Sequence, residues 1–232
     1  MGYAILRNIL LPGLLTSLFL IALSCNGAAS NSTQNAGESD RVISDSVSKN
    51  DLNTLVTQSS NLQLSVADGS VARYKVVESL TRFLNPITAM GETTDVSGVI
   101  VFQEDGSIHP DSHVTIGTAA FRSDENKRDN WVRRNGGLGD KIFIGITGVE
   151  GLDFPIPVSG NFRFKIEGDL TVADITRKTT WNAQADFFAD QVVGTASTSV
   201  TWEQFGLSQP RLPFIISVSD DIVLEIDFKT IR

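Results

Sequence analysis

Between Asn161 and Phe187 the chain reads NFRFKIEGDLTVADITRKTTWNAQADF, and apolar and polar residues change places almost one for one. Phe162, Phe164 and Ile166, then Leu170 and Val172, then Trp181, Ala183, Ala185 and Phe187 keep one phase. Arg163, Lys165, Glu167, Thr171, Asn182, Gln184 and Asp186 keep the other. A period of two sends successive side chains to opposite faces of a strand. The stretch therefore predicts two strands with one apolar and one wetted face, joined by a turn at Ala173 to Arg177. What the apolar face closes around, side chains or a carried molecule, is the question this pattern raises.

The same rhythm recurs from about Val71 onward. Ala72, Tyr74 and Val76; Ile100 and Phe102; Val114 and Ile116; Ile142, Ile144 and Ile146; Ala196, Thr198, Val200 and Trp202; and Ile222, Leu224, Ile226 and Phe228 each form a row. Turn signals such as Glu104-Asp105-Gly106, Pro155-Ile156-Pro157 and Asp190-Gln191 separate the rows. The count is about eight strands, mostly antiparallel, because continuous buried runs are scarce. One helix interrupts them. Ser123-Asp124-Glu125-Asn126 supplies its cap and acidic first turn, Arg133 and Arg134 its last turn, and Gly136-Gly137 its stop. Trp131 is its large apolar residue, placed to pack on the sheet or plug one end. Eight amphipathic strands hide their edges by closing into a barrel or splitting into a sandwich, and periodicity alone does not choose.

The first 24 residues read as a signal peptide: Arg7, then the apolar run Ile9 to Ser24, interrupted by Pro12-Gly13 and short for a membrane span. Cys25 is the only cysteine, so no intrachain disulfide forms. Ala22-Leu23-Ser24-Cys25 resembles a bacterial lipobox, which implies lipidation of Cys25 and anchoring through several acyl chains. Polar, Ser- and Asn-rich sequence follows, so residues 25–66 are expected to be the lipidated cysteine and a flexible linker, with 67–232 the folded domain. The expected address is the cell envelope, membrane-anchored and facing the periplasm or the exterior. A net charge of −8 and a pI near 4.7 leave no basic stripe for nucleic acid.

Motifs for chemistry are scarce. His109 and His113 flank Pro110, which forbids the helix that would align them, so a turn and strand is the better reading than a metal site. There is no G-x-S-x-G, phosphate-cradling loop or C-x-x-C. Asp174, Asp186, Asp190, Glu203, Asp220 and Asp221 fall on polar faces or in turns. The chain is expected not to be an enzyme, and no cofactor or metal is required.

Four landmarks resemble the YceI-like, polyisoprenoid-binding family of exported bacterial proteins. They are DENKRDNWVRRN (Asp124 to Asn135), Gly168-Asp169-Leu170-Thr171-Val172 with Thr176 and Lys178 after the turn, Glu203-Gln204-Phe205-Gly206-Leu207, and the closing row Ile222 to Phe228. Two departures stand out: Phe143-Ile144-Gly145 where the family often has Tyr-Pro, and Ala173-Asp174 where it often has His-Gly. The resemblance implies an all-β fold, an antiparallel eight-stranded lipocalin-like β-barrel with one short helix. It also implies an apolar lumen for an isoprenoid, such as a quinone or a polyprenyl phosphate, or another long amphiphile. Phe102, Phe162, Phe164, Trp181, Phe187, Trp202, Leu224 and Ile226 would then wall the lumen, and Ala183, Ala185 and Ala196 would leave room in it. Arg122, Arg128 or Lys141 would meet a polar head at the mouth. The alternatives are a solid barrel that serves as an envelope interaction protein, and a hydrolase or isomerase with a carboxylate in the lumen.

Overall fold

The computed structural model describes residues 61–232. The apolar N-terminal run, Cys25 and most of the expected linker lie outside the described residues. Eleven strands and one helix follow in order: β1 (Leu62–Val66), β2 (Val71–Leu80), β3 (Ile87–Thr93), β4 (Val96–Phe102), β5 (His113–Gly117), β6 (Arg122–Ser123), α1 (Asn126–Asn135), β7 (Lys141–Glu150), β8 (Gly160–Val172), β9 (Ile175–Phe187), β10 (Gln191–Thr201) and β11 (Ile215–Ile231).

Every pairing is antiparallel, and eight strands close a ring in the order β1-β4-β5-β7-β8-β9-β10-β11, with β11 returning to β1. The remaining three extend the sheet from β11 through β2 and β3 to β6. The larger strand count arises because the early strands are bent. The chain turns at Ala67–Ser70 between β1 and β2, and β11 is long enough to pair with both pieces. The Ser70 hydroxyl pins that bend by donating to the carbonyls of Ala67 and Lys229 and accepting from the Lys229 N–H. Closure satisfies the backbone groups that an open edge would leave unpaired.

β1 lies inside the span expected to be linker. Only Leu64 of its five residues is fully buried, and Gln63 and Ser65 give it a polar face, so five residues carried too little pattern to stand out from the polar sequence before them. Its pairing with β4 and β11 nevertheless closes the ring.

The hairpin quoted at the outset is the longest in the barrel: β8 and β9 pair without a break from Gly160↔Phe187 to Val172↔Ile175. Its turn is only Ala173-Asp174, both with positive φ (49° and 67°). That is the type I′ geometry whose twist matches the flanking strands, and it is normally supplied by Asn or Gly. Along β9 the burial alternates strictly from Trp181 to Phe187, odd positions inward and even positions outward. α1 forms where its caps predicted. Glu125 accepts from the Lys127 N–H, Asp129 lies in the first turn and Arg133 and Arg134 in the last.

Ion pairs fix the outer face where β2 meets its neighbours. Arg73 bonds Glu92 on β3 and Asp227 on β11, and Lys75 holds both carboxylate oxygens of Glu225 at 2.9–3.0 Å. Burial works against the Asp227 carboxylate, but the hydrogen bonds from Arg73 and Thr195 outweigh it and hold its pKa below the usual value.

Candidate functional site: an apolar lumen in two chambers

The inward rows of the ring do not fill its interior. Two hollows of about 100 Å3 each remain. One lies toward the end covered by Leu152 and Ile156, and is bordered by Leu64, Ile100, Phe187 and Phe228. The other lies under α1, bordered by Trp131, Leu138, Trp202 and Phe205. They share only Ile144, Trp181 and Ile226, which form a waist between them. Each hollow is smaller than the roughly 150 Å3 apolar cavity that admits benzene, and both fall below the roughly 300–1,000 Å3 of most small-molecule pockets. A long guest therefore has to displace side chains as it enters.

The expected wall residues sort by position. Phe102, Phe164, Phe187 and Ala196 border the first chamber, Trp202 and Leu224 the second, and Trp181 and Ile226 both. Ala183 and Ala185 are buried in the same inward phase of β9 but border neither hollow. Phe162 keeps the inward phase yet is 36% exposed, because it lies at the start of β8, where Gly160 to Arg163 are all exposed. Its ring meets Phe187 edge-on at 5.5 Å, and Phe164 meets the same ring at 6.1 Å. Three rings thus gather at the start of β8 in the tilted geometry that aromatic quadrupoles favour.

Ile144, Ile146, Val114 and Ile100 also face the first chamber. They belong to rows that the period-two pattern had already displayed, so the signal for them was present in the sequence. Residues contributed by loops carried no such signal: Leu152 and Ile156 at one end, Leu138 and Leu207 at the other. Trp131 plugs the α1 end, its ring edge-on to Trp202 at 6.5 Å. The Trp202 indole N–H is held by the Ser219 carbonyl at 2.9 Å.

The lining is chemically quiet. In the first chamber Thr230 is the only residue with a polar side chain. In the second, the one carboxylate among the bordering residues is Glu225, which is held by Lys75 and Arg73. Tyr74 borders the same chamber, and burial pushes its phenol up to about 12. Among the described residues, no group of three or more His, Cys, Asp or Glu is placed to hold a metal. The His113 ring instead stacks on Phe143 at 5.5 Å.

Of the three cations expected at a mouth, Arg128 has internal partners. It donates to Glu78 at 2.7 Å and to Asp124, with Glu78 and Arg128 both largely buried. Burial opposes its charge, and the hydrogen bonds to Glu78 and Asp124 outweigh burial, so its pKa is held above the usual arginine value. Arg122 folds back on the carbonyls of Ala119 and Phe121, and its residue is exposed, as is Lys141 at the start of β7.

The YceI-like domain profile matches residues 67–230. No curated protein matches the sequence. Among solved structures, a polyisoprenoid binding domain from Saccharophagus degradans implicated in plant cell wall breakdown superposes with a TM-score of 0.55 at 8% identity, covering 75% of this chain and 99% of that one. BcnA from Burkholderia cenocepacia superposes with a TM-score of 0.53 at 13% identity, covering 71% of this chain and 98% of that one. At such low identity these likenesses speak to the fold, which is the lipocalin-like ring described above. With the profile spanning nearly the whole described domain, the chain belongs to the YceI-like family.

Proposed function

We propose that the barrel binds an isoprenoid or another long-chain amphiphile in its lumen, without converting it, and stores or carries it at the cell envelope. The observation that carries this reading is the pair of apolar hollows inside one closed ring, the first lined by nineteen apolar residues and Thr230. Such a lining offers no chemistry to a reacting bond but suits hydrocarbon, at about 0.8 kcal/mol for each buried CH2. Ordering a flexible tail takes back part of that sum. The polyisoprenoid binding domain from Saccharophagus degradans shares the fold and supports the ligand class.

A polar head, a quinone ring or a phosphate, remains at the α1 end, where entry has to displace Trp131 and where Arg122 and Lys141 stand exposed. Arg128 is assigned no part in this, because its partners are Glu78 and Asp124. No cofactor is required. Export by the N-terminal segment and acylation of Cys25 place the domain at a membrane, where an insoluble ligand is collected and released.

The test is organic extraction of the full chain purified without added lipid, followed by mass spectrometry. Recovery of an isoprenoid or a long amphiphile near one per chain is the expected result. Gentle purification that yields none, together with no rise in Tm on adding geranylgeraniol, would leave a solid barrel as the better account. Chemical change in an added lipid, abolished by replacing one inward carboxylate, would instead make the protein an enzyme.

A further inference from the structure

We propose that Trp181 is the residue that decides how long a chain the lumen accepts, acting as an internal gate between the two chambers. The inference rests on the reading of the lumen as a binding site and adds to it a residue with a stated job. Trp181 is 3% exposed, so it is enclosed by protein, and it is one of three residues bordering both hollows. The other two, Ile144 and Ile226, are aliphatic and branched at Cβ, with little freedom to move aside. Only the indole is large enough to close the waist and is joined to the wall by two rotatable bonds that let it swing clear.

The indole is latched lightly. Its N–H donates to the Thr179 hydroxyl at 3.0 Å, and that hydroxyl donates to the Gly168 carbonyl at 3.1 Å. Each is a single neutral hydrogen bond, the weaker class. Space exists for the displaced ring. Ala183 follows Trp181 in the same inward phase, and Ala196 lies directly across from Ala183 on β10. Neither carries anything beyond a methyl, and Ala196 borders the first chamber. A short guest has to push aside side chains of one chamber only, and the gate can stay shut. A guest longer than one chamber has to break the Trp181–Thr179 bond and turn the ring toward the alanines.

The experiment follows the uptake of radiolabelled geraniol and its double-length homologue geranylgeraniol by the full chain and by W181F and W181A. In the unaltered protein geranylgeraniol is expected to load at least about tenfold more slowly than geraniol, the rate equivalent of one latch interaction. W181A is expected to remove that difference, so that within the variant the two alcohols load at rates within about threefold of each other. W181F keeps an aromatic filling and loses only the N–H, so it is expected to fall between them, and it carries the test if W181A fails to fold. Loading of geranylgeraniol, but not geraniol, is also expected to shift tryptophan emission in the unaltered protein and to shift it less in W181F. Equal effects of the substitutions on both alcohols, or no difference in loading between the alcohols to begin with, would overturn the gate while leaving the binding reading intact. No uptake of either alcohol by any of the three proteins would overturn the binding reading, and the gate with it.

Discussion

Ala196→Ile asks whether the hollow is a void that a guest fills. Ala196 is 4% exposed, sits in the middle of β10, and borders the first chamber opposite Ala183 and Ile226. Isoleucine adds three carbons there, and its branched Cβ suits a strand. At about 0.8 kcal/mol per buried carbon the gross gain is roughly 2.4 kcal/mol, from which roughly 0.5–1 kcal/mol of side-chain entropy is lost. A net gain of about 1.5 kcal/mol corresponds to a rise in Tm of roughly 3–6 °C for a domain of this size. The added carbons also occupy part of a hollow of about 100 Å3, so a hydrocarbon guest loses the contacts they take. The lipid-free protein should therefore become more stable and bind geranylgeraniol less well, a coupled pair of opposite changes. Calorimetry of delipidated protein and a binding titration measure the two. A core already filled would respond with a fall in stability of about 1–3 kcal/mol from overpacking, and that fall, with ligand binding untouched, would refute the void.

Other expectations follow from single residues. Leu170 is 0% exposed in the main core, so Leu170→Ala should cost about 2–5 kcal/mol, seen as a lower denaturant midpoint at unchanged slope. Arg128→Met strands the buried Glu78 carboxylate and should cost about 3–5 kcal/mol, whereas the double substitution with Glu78→Leu should recover most of it; a double-mutant cycle reads the difference. Tyr74, pushed up to about 12 by burial, stays neutral in the fold while the unfolded chain ionises near 10. The stabilising contribution is thus present below about pH 10 and is lost as pH rises toward 12, by roughly 2–3 kcal/mol. Tyr74→Phe should flatten that part of an alkaline unfolding profile. Cys25→Ser should move the protein from the membrane to the soluble fraction, by fractionation of whole cells.

How much of this was legible depended on whether a residue's position repeats. From Trp181 to Phe187 β9 alternates without a fault, so Trp181, Ala183, Ala185 and Phe187 were assigned to one face from the sequence and all are buried together. α1 announced itself through charges at both ends. The bends were invisible, because a strand that turns at Ala67–Ser70 and resumes keeps its local pattern on both sides; only the pairing of β11 with β1 and β2 shows one wall in two pieces. The fate of Arg128 was equally hidden, since its partner Glu78 lies 50 positions away on another element. So was the waist. Periodicity says that Trp181 points inward, but whether it lines a tube or divides one depends on Ile144 and Ile226 meeting it from β7 and β11.

The hollows are expensive for an empty protein. At about 24 cal/mol per Å3, two cavities of about 100 Å3 forgo roughly 5 kcal/mol between them, comparable with the whole stability of many domains, roughly 5–15 kcal/mol. Nothing in the ring's geometry demands that loss. On β9 and β10 the inward positions opposite one another are Ala183 with Ala196 and Ala185 with Gly194, and of these four Ala196 alone borders a hollow, where a branched residue would suit a strand better and close part of the gap. At Gly194 the strands approach so closely that an added Cβ would lie 2.4 Å from the Gln184 carbonyl oxygen, so that position has a structural reason to be small. Ala196 has no such reason, because it faces open space in the chamber. A hydrocarbon guest restores the missing contacts and stabilises the fold by an amount that grows with its concentration over its dissociation constant. On the proposed function, the small side chain at Ala196 suits a barrel that is completed by what it holds.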